Sequence, residues 1–288
     1  MDRRNFVKTL GVIGASTLPG QKLYGEGLDN NNEFVGILVD TTRCVGCQSC
    51  TVACAEANNL PEPDLDAIDI GITRSTSEKQ WTLVNKFRVN DEEIFVKKQC
   101  MHCNQPACAT ACPTKALLKT EEGPVIWRSD KCMGCRFCMV SCPFEIPKFE
   151  YNSPNPKIQK CRMCFERIRN GDVPACVSEC PEEAIVFGKR NELIEEANRR
   201  IYENPDKYIH YIYGEHEVGG TGYLYMSSVP FAQLGFRTDL GSTPYPQYTK
   251  TFLYSVPAVL TLWPAFLLAL SKAHSREVSD SGEELYDE

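Results

Sequence analysis

Short stretches in which apolar and polar residues alternate lie through the middle of this 288-residue chain. Three of them, QWTLVNKFRV (80–89), EEIFVKKQC (92–100) and PVIWRSDKC (124–132), predict strands, because they are rich in branched and aromatic residues. NELIEEANRRIYEN, which begins at Asn191, has its apolar residues at helical spacing and predicts an amphipathic helix with a polar face. The pattern therefore predicts a mixed α+β fold.

Two stretches lack such a regular pattern. Residues 60–92 begin with prolines and many acidic residues, and they predict an insertion on the surface of a domain. Residues 205–248 are rich in Gly, Pro and Tyr, and they predict an extended segment that wraps either a partner or the rest of the domain.

The longest apolar run lies near the end of the chain. Residues 252–270 contain 19 positions without a charge, and as a helix they would span about 28 Å, close to the thickness of a bilayer core. Pro257 and Pro264 count against a straight helix, although neighbouring helices can tolerate proline in a membrane. A buried core helix is the alternative, and the position near a chain end disfavours it. We therefore expect a transmembrane anchor over residues 251–272.

The residues that flank the anchor predict its orientation. Lys272, His274 and Arg276 follow the apolar run directly, and basic residues at that place favour a cytoplasmic C-terminus. Residues 273–288 would then form an acidic cytoplasmic tail, and the bulk of the protein would face the periplasm, on the outer side of the cytoplasmic membrane.

The N-terminus favours the same location. Arg3 and Arg4 stand before a short, glycine-containing apolar run, so that residues 1–30 resemble a twin-arginine export signal. A basic, frayed N-terminus is the alternative. No clean A-x-A-like site follows, and the sequence leaves open whether the segment is removed.

Composition adds two observations, one on net charge and one on the number of cysteines. The 31 basic and 38 acidic side chains give a net charge of −7, which argues against a nucleic-acid partner. The chain has 16 cysteines, far more than an intracellular enzyme of this size needs, and such a number requires either disulfides or metal.

The cysteines form four groups without a remainder. The groups are Cys44, Cys47, Cys50 and Cys54; Cys100, Cys103, Cys108 and Cys112; Cys132, Cys135, Cys138 and Cys142; and Cys161, Cys164, Cys176 and Cys180. Each group closes with C-x-x-x-C, and the last three end in Cys-Pro, which is a faint internal repeat. Each predicts a loop that ends in a short helix.

This spacing is typical of iron–sulfur ligands. Thiolates at i, i+3 and i+6 can serve three corners of a cubane, while the fourth corner is served from elsewhere, as in the C-x₂-C-x₂-C-x₃-C-P run of two-cluster ferredoxins. The first and third groups have this spacing, whereas the second and fourth widen the middle gap to four and eleven residues. Sixteen thiolates thus supply four ligands to each of four [4Fe–4S] clusters.

Other chemistries fit the pattern less well. Structural zinc has no use for a third cysteine at i+6, and thiols three residues apart make poor disulfide loops. His102 is interpreted as lying outside the ligand set, either behind the ligands or at the surface, because cysteine already provides all four corners. Gly46 and Gly134 lie inside loops where backbone N–H groups can point at cluster sulfurs. No dinucleotide, phosphate-loop or nucleophile-elbow motif is present, so we expect single-electron transfer without a catalytic site.

Four such groups, in this order and with these gaps, resemble the four-cluster ferredoxin-like electron-transfer subunits of membrane-bound formate dehydrogenases, molybdopterin reductases and some nickel–iron hydrogenases. The resemblance covers residues 34–235, and it includes YGEHEVGGTGYLYMSSVPFAQLGF (213–236). An anchor together with a twin-arginine signal is most similar to the uptake hydrogenase-2 class. The implied fold is α+β, with tandem bacterial two-cluster ferredoxin-like repeats and a C-terminal transmembrane helix. A four-cluster domain would cover residues 34–190, including the insertion 60–92, and a helix with a partner-wrapping segment would cover 191–250.

The resemblance also implies a nested pairing of the groups, although spacing alone leaves sequential pairing possible. Its four ligand sets are Cys44, Cys47, Cys50 and Cys180; Cys54, Cys161, Cys164 and Cys176; Cys100, Cys103, Cys108 and Cys142; and Cys112, Cys132, Cys135 and Cys138. The implied partners are the small and large catalytic subunits of a nickel–iron hydrogenase, a quinone-reactive integral membrane subunit and the lipid bilayer. The alternatives are a subunit of a formate dehydrogenase or other molybdopterin oxidoreductase and, in another class, a zinc- or disulfide-stabilised binding module.

Overall fold

The computed structural model describes residues 33–283 except 67, 69 and 71. The expected export signal in residues 1–30 lies outside the described residues, as do the last five residues of the acidic tail.

Short helices and strands alternate along the described chain, as expected for an α+β fold. They are β1 (Val35–Asp40), α1 (Ser49–Ala57), β2 (Leu83–Val89), β3 (Glu92–Lys98), α2 (Ala107–Thr110), β4 (Leu117–Lys119), β5 (Val125–Trp127), α3 (Phe137–Val140), β6 (Lys148–Phe149), β7 (Ile158–Gln159), α4 (Phe165–Arg169), α5 (Ala175–Ser178), β8 (Ile185–Lys189), α6 (Arg190–Glu203), β9 (Tyr223–Met226) and α7 (Tyr245–Glu283), with single 3₁₀ turns at Ser129–Lys131, Glu217–Gly219 and Phe231–Leu234. The strands predicted from residues 80, 92 and 124 onward are confirmed as β2, β3 and β5.

Strand β1 is the centre of a three-stranded sheet. It pairs antiparallel with β8, where Val35 lies opposite Lys189, and parallel with β9, where Ile37 lies opposite Tyr223. Ile37 and Leu38 are both fully buried although they point to opposite faces. The continuous apolar sequence VGILVD fits a strand that is covered on both sides.

Helix α6 covers one face of this sheet, and the predicted amphipathic helix is confirmed. Leu193, Ala197 and Ile201 recur every four residues and are buried against the sheet. Arg200 reaches the buried carboxylate of Asp40 at the end of β1, with Nη1 3.4 Å from Oδ2. The polar face of the helix stays in solvent.

The hairpin of β2 and β3 packs on both faces. Its turn, Asn90–Asp91, has positive φ at both residues, 50° and 63°, which matches the right-handed twist of the strands. Ile94 and Val96 pack against the later part of the chain, whereas Phe95 approaches Gly46 in the first cysteine loop. Because Trp81 is also buried, the expectation of a surface insertion is wrong for the second half of residues 60–92.

The segment that follows α6 lies inside the fold. Tyr213, Tyr223 and Tyr225 are buried, and Phe236 packs edge-on against two of them at ring distances of 4.7 and 4.9 Å. Between residues 208 and 240 the segment therefore wraps this protein, which was one of the two predicted alternatives.

Helix α7 continues through both of its prolines. It is long and apolar enough to cross a membrane from Tyr245 to Lys272, and none of the side chains in its apolar window is buried within the protein. Phe252, Leu260 and Leu267 are among the exposed side chains. This exposure contradicts the alternative of a buried core helix.

Candidate metal centres

All four C-x-x-C loops contain the same backbone turn. The residue two positions after the first cysteine has positive φ in each: Gly46 at 73°, His102 at 50°, Gly134 at 73° and Met163 at 55°. Only glycine adopts this conformation without steric cost, so the histidine and methionine must be held there by their surroundings.

A second turn recurs after the three Cys-Pro pairs. Lys115, Glu145 and Glu183 have φ between 48° and 55°. Each donates its backbone N–H to the carbonyl of the cysteine three residues earlier, at 3.1 to 3.3 Å. The short helices α2, α3 and α5 each contain the third cysteine of one of these groups and end before the fourth, close to the short helix that the spacing predicts. Local backbone geometry thus repeats with the cysteine pattern.

The thiols gather in sets of four, and twelve of the sixteen line three cavities. The first site has Cys44, Cys47, Cys50 and Cys180; the second site has Cys54, Cys161, Cys164 and Cys176; and the fourth site has Cys112, Cys132, Cys135 and Cys138. In each of these sites, three cysteines come from one group and one comes from another.

The remaining four cysteines, Cys100, Cys103, Cys108 and Cys142, form the third site. Burial raises the pKa of Cys103, and the nearby thiolates of Cys142 and Cys100 raise it further. The same neighbours, after burial, raise the pKa of Cys108. These interactions place Cys142, from the third group, among the first three cysteines of the second group.

The donor chemistry of the sites fits iron–sulfur clusters. All sixteen cysteines are free thiols, and each site offers four soft sulfur donors in largely apolar surroundings. Burial raises the pKa of Cys50 and of Cys161 to about 12, so these thiols give up their protons readily only to a bound metal. Among the described residues, no three His, Cys, Asp or Glu side chains are placed to bind one single metal ion. A cubane does not require such a group, because each thiolate binds a different iron.

Exposure differs between the sites. Cys47 in the first site and Cys135 in the fourth are exposed, whereas Cys54, Cys161 and Cys176 of the second site are buried. Next to the fourth site, three large apolar side chains reach solvent: Met133, Phe137 and Val140, which are 66%, 56% and 81% exposed. The first and fourth sites are thus those that a partner can reach most directly.

His102 is fully buried, so the alternative that it lies at the surface is wrong. Its Nδ1 accepts the backbone N–H of Val125 at 2.8 Å, and it lines none of the three cavities. Burial lowers the pKa of His102 well below its usual range, so the ring is neutral at pH 7. Its hydrogen bond to Val125 therefore stabilises the second cysteine loop, to which His102 belongs, away from the cavities.

Several cations lie near the sites. Lys160 is buried and donates to the carbonyls of Val125 and Cys161. Arg136 and Arg162 instead lie over aromatic rings nearer the surface. Lys97, which reaches two of the cavities, was missed. Lys97 lies two residues after Phe95, on the strand that leads into Cys100, and this position was the signal from which it could have been found.

Comparisons with known proteins agree with this chemistry. Residues 92–190 match the 4Fe-4S dicluster domain family. The chain is 41% identical over 295 residues to a protein of Nitratidesulfovibrio vulgaris strain Hildenborough, covering 99% of this chain and 80% of that protein. It is 36% identical over 276 residues to the hydrogenase-2 operon protein HybA of Escherichia coli O157:H7, covering 81% of this chain and 83% of HybA.

A formate dehydrogenase iron–sulfur subunit of Haemophilus influenzae is 34% identical over 235 residues, covering 76% of this chain and 72% of that subunit. The extent of these matches confirms the resemblance seen in the cysteine pattern. The chain belongs to the family of [4Fe–4S] electron-transfer subunits that includes HybA and the formate dehydrogenase iron–sulfur subunits.

Proposed function

We propose that this protein is a membrane-anchored, periplasm-facing subunit that relays single electrons through four [4Fe–4S] clusters. The relay would connect the small and large catalytic subunits of a nickel–iron hydrogenase to a quinone-reactive integral membrane subunit. The observation that carries the proposal is the gathering of sixteen thiols into four sets of four, without a remainder. The similarity to HybA supports a hydrogenase partner.

The four sites would each hold one cluster, with the four cysteines named for that site as its ligands. Three cavities that are each lined by four thiols support this assignment, and the mutual electrostatic effects of Cys103, Cys108 and Cys142 support it for the third site. The recurring turns at the C-x-x-C loops and after Cys-Pro support tandem ferredoxin-like repeats. When bound, the clusters supply one-electron redox chemistry.

The protein's own residues hold these groups and exclude water from them. Buried side chains such as Ile37, Val84 and Tyr223 pack around the first and second sites. An apolar environment is one of the factors that set a cluster's potential. No residue needs to make or break a bond to the substrate of a partner enzyme. The role of the chain is therefore positioning and insulation.

Exposure and helix α7 support an assignment of the two ends of the relay. Helix α2, which holds Cys108 of the third site and precedes Cys112 of the fourth, contacts α7. If α7 lies in the bilayer, the fourth site and the apolar side chains of Met133 and Val140 face the membrane partner. The first site, exposed at Cys47, then faces the catalytic subunits.

The proposal also includes export and topology. Helix α7 has the length and the apolar surface of a membrane anchor, and the basic residues after it favour a cytoplasmic C-terminus. The twin-arginine pair at Arg3 and Arg4 supports export of the folded domain.

Anaerobic extraction in mild detergent, followed by iron analysis and identification of co-purifying subunits, tests the function. We expect about sixteen iron atoms per chain and EPR signals on reduction, because each of four cubanes contains four irons. A nickel–iron large subunit in the same preparation would support the hydrogenase assignment, whereas a molybdopterin subunit would replace it with the formate dehydrogenase class. Zinc, or a well-folded iron-free protein, would contradict the relay itself.

A further inference from the structure

Lys97 lies in the wall between the first and second sites. Its side chain is 2% exposed, and it lines both the cavity of Cys44, Cys47, Cys50 and Cys180 and the cavity of Cys54, Cys161, Cys164 and Cys176. It occupies the penultimate position of β3, on the same side of the strand as Phe95, whose ring covers the turn at Gly46. One ammonium group thus faces two sets of four thiols.

The groups that hold this ammonium are neutral. Nζ donates to the hydroxyl of Thr82 at 2.6 Å and to Oε1 of Gln99 at 2.9 Å, and it lies 5.5 Å from the ring centre of Tyr223. In the part of the chain that the structure describes, Lys97 forms no ion pair with an aspartate or glutamate. Its charge therefore has no counter-charge from a carboxylate.

A second layer of hydrogen bonds fixes the position of the lysine. Gln99 donates its Nε2 hydrogen to the hydroxyl of Tyr225 at 2.5 Å, and that hydroxyl donates to the backbone carbonyl of Lys97 at 2.9 Å. Tyr225 belongs to β9 in the central sheet, so the network ties the hairpin to the sheet. The ammonium is held in place by rigid elements.

A buried ammonium without a counter-charge destabilises the folded protein unless a negative group lies nearby. Here the sulfurs of the two sites are that group. An anionic cluster on each side of Nζ would favour the charged, protonated form of the lysine.

We propose that Lys97 is a fixed positive charge shared by the clusters of the first and second sites, and that it raises the reduction potential of both. This inference rests on the proposed function. A cluster held by four thiolates is anionic and gains a further negative charge on reduction, so a nearby positive charge in a low-dielectric interior stabilises the reduced form.

EPR-monitored redox titration of the full complex tests this role. Lys97→Met keeps the length and apolar stem of the side chain and removes its charge. We expect the midpoint potentials of two of the four clusters to fall, and those of the other two to stay unchanged. The signals are assigned to sites with Cys47→Ser and Cys54→Ser as references, since each removes a ligand from one of the two sites.

A second variant neutralises the same charge without changing the lysine. Gln99→Glu places a carboxylate beside Nζ and neutralises the ammonium as an ion pair, so the same two potentials should fall. Lys98→Met is the matched control, because it removes one positive charge from the next residue of the same strand, where Nζ lies near Ser75 at the surface. We expect no selective shift in this control.

The outcomes separate this inference from the proposed function. A wild-type protein without iron would contradict the relay. If the wild type has four clusters and their midpoint potentials are the same in both variants, only the role of Lys97 is overturned. Equal shifts in all four clusters, or a shift in only one, would also overturn it. Loss of iron from all sites in both variants would assign Lys97 to folding and contradict the electrostatic role.

Discussion

Gly46 and Gly134 occupy the same turn in two cysteine loops, each with a φ of 73°, but their surroundings differ. A Cβ at Gly46 would overlap the ring of Phe95, whereas a Cβ at Gly134 would meet no atom within 4 Å. Alanine at either position carries the backbone strain of a positive φ, roughly 1 kcal/mol. Only at Gly46 does it also force the hairpin away from the loop, which costs about 1 to 3 kcal/mol more.

We therefore expect Gly46→Ala to lower the thermal unfolding midpoint, measured without oxygen, clearly more than Gly134→Ala does. It should also speed the release of iron from the first site. Equal effects of the two variants would show that Phe95 moves aside without cost and would contradict the close packing.

Cys54 tests the grouping of the thiols. It belongs by sequence to the first group, but its side chain lines the cavity of Cys161, Cys164 and Cys176. Cys54→Ser is expected to remove or convert the cluster of the second site, and the EPR signal of the first site should persist. Cys47→Ser, in the same loop region, should remove or convert the cluster of the first site, and the EPR signal of the second site should persist. A loss confined to the first site in both variants would mean that the groups pair differently.

The residue scale also shows where sequence reasoning ends. Spacing was enough to single out sixteen candidate ligands, because the pattern of C-x-x-C is local. The positive φ of His102 and Met163 was not predictable, since only a small fraction of non-glycine residues adopts that conformation. Lys97 was missed because a lysine on a strand is usually solvated, whereas here the cysteine loops and β9 cover it.

At the scale of elements, length decided which predictions succeeded. Helix α6 and the hairpin strands β2 and β3 are long enough for their periodicity to be read from the sequence. Strands β6 and β7 have two residues each, too few for any pattern. The burial of Trp81 depends on the cysteine loops that it covers, and these are far away in the sequence.

Helix α7 allows a test of the membrane anchor. Leu260 lies within its apolar span and is exposed, so Leu260→Arg places a charge in the bilayer core at a cost of about 3 kcal/mol. We expect the variant, expressed without partner subunits, to move from the membrane fraction toward the soluble fraction while it retains its iron. Gln247→Arg, near the start of the helix, is the control. An unchanged membrane fraction for Leu260→Arg would contradict insertion of α7.

At the scale of the whole molecule, regular structure is distributed unevenly. The sheet β8-β1-β9 and helix α6 form a packed unit with strands of four to six residues. Cysteines of the fourth site, with Cys108 of the third, pack against β4, β5, β6 and β7, which have only two or three residues each. Bound metal must therefore contribute more to the stability of the second region than of the first.

Removal of iron by anaerobic chelation should reveal this difference. We expect backbone amides in residues 100–160 to exchange with deuterium at least about tenfold faster, equivalent to about 1.4 kcal/mol of lost protection. Amides in β1 and α6 should stay protected, and they serve as the internal control. Uniform loss of protection across the chain would mean that folding depends equally on all four sites.

The position of β1 at the centre of its sheet imposes an order on biogenesis. Its two neighbours end at Lys189 and Met226, so β1, the first strand in the described part of the chain, can pair only after most of the domain has been synthesised. The third and fourth sites, by contrast, have every thiol once residue 142 has been made. Because nearby contacts form fastest, iron insertion should begin at the third and fourth sites and finish at the first and second, which combine cysteines from residues 44–54 and 161–180.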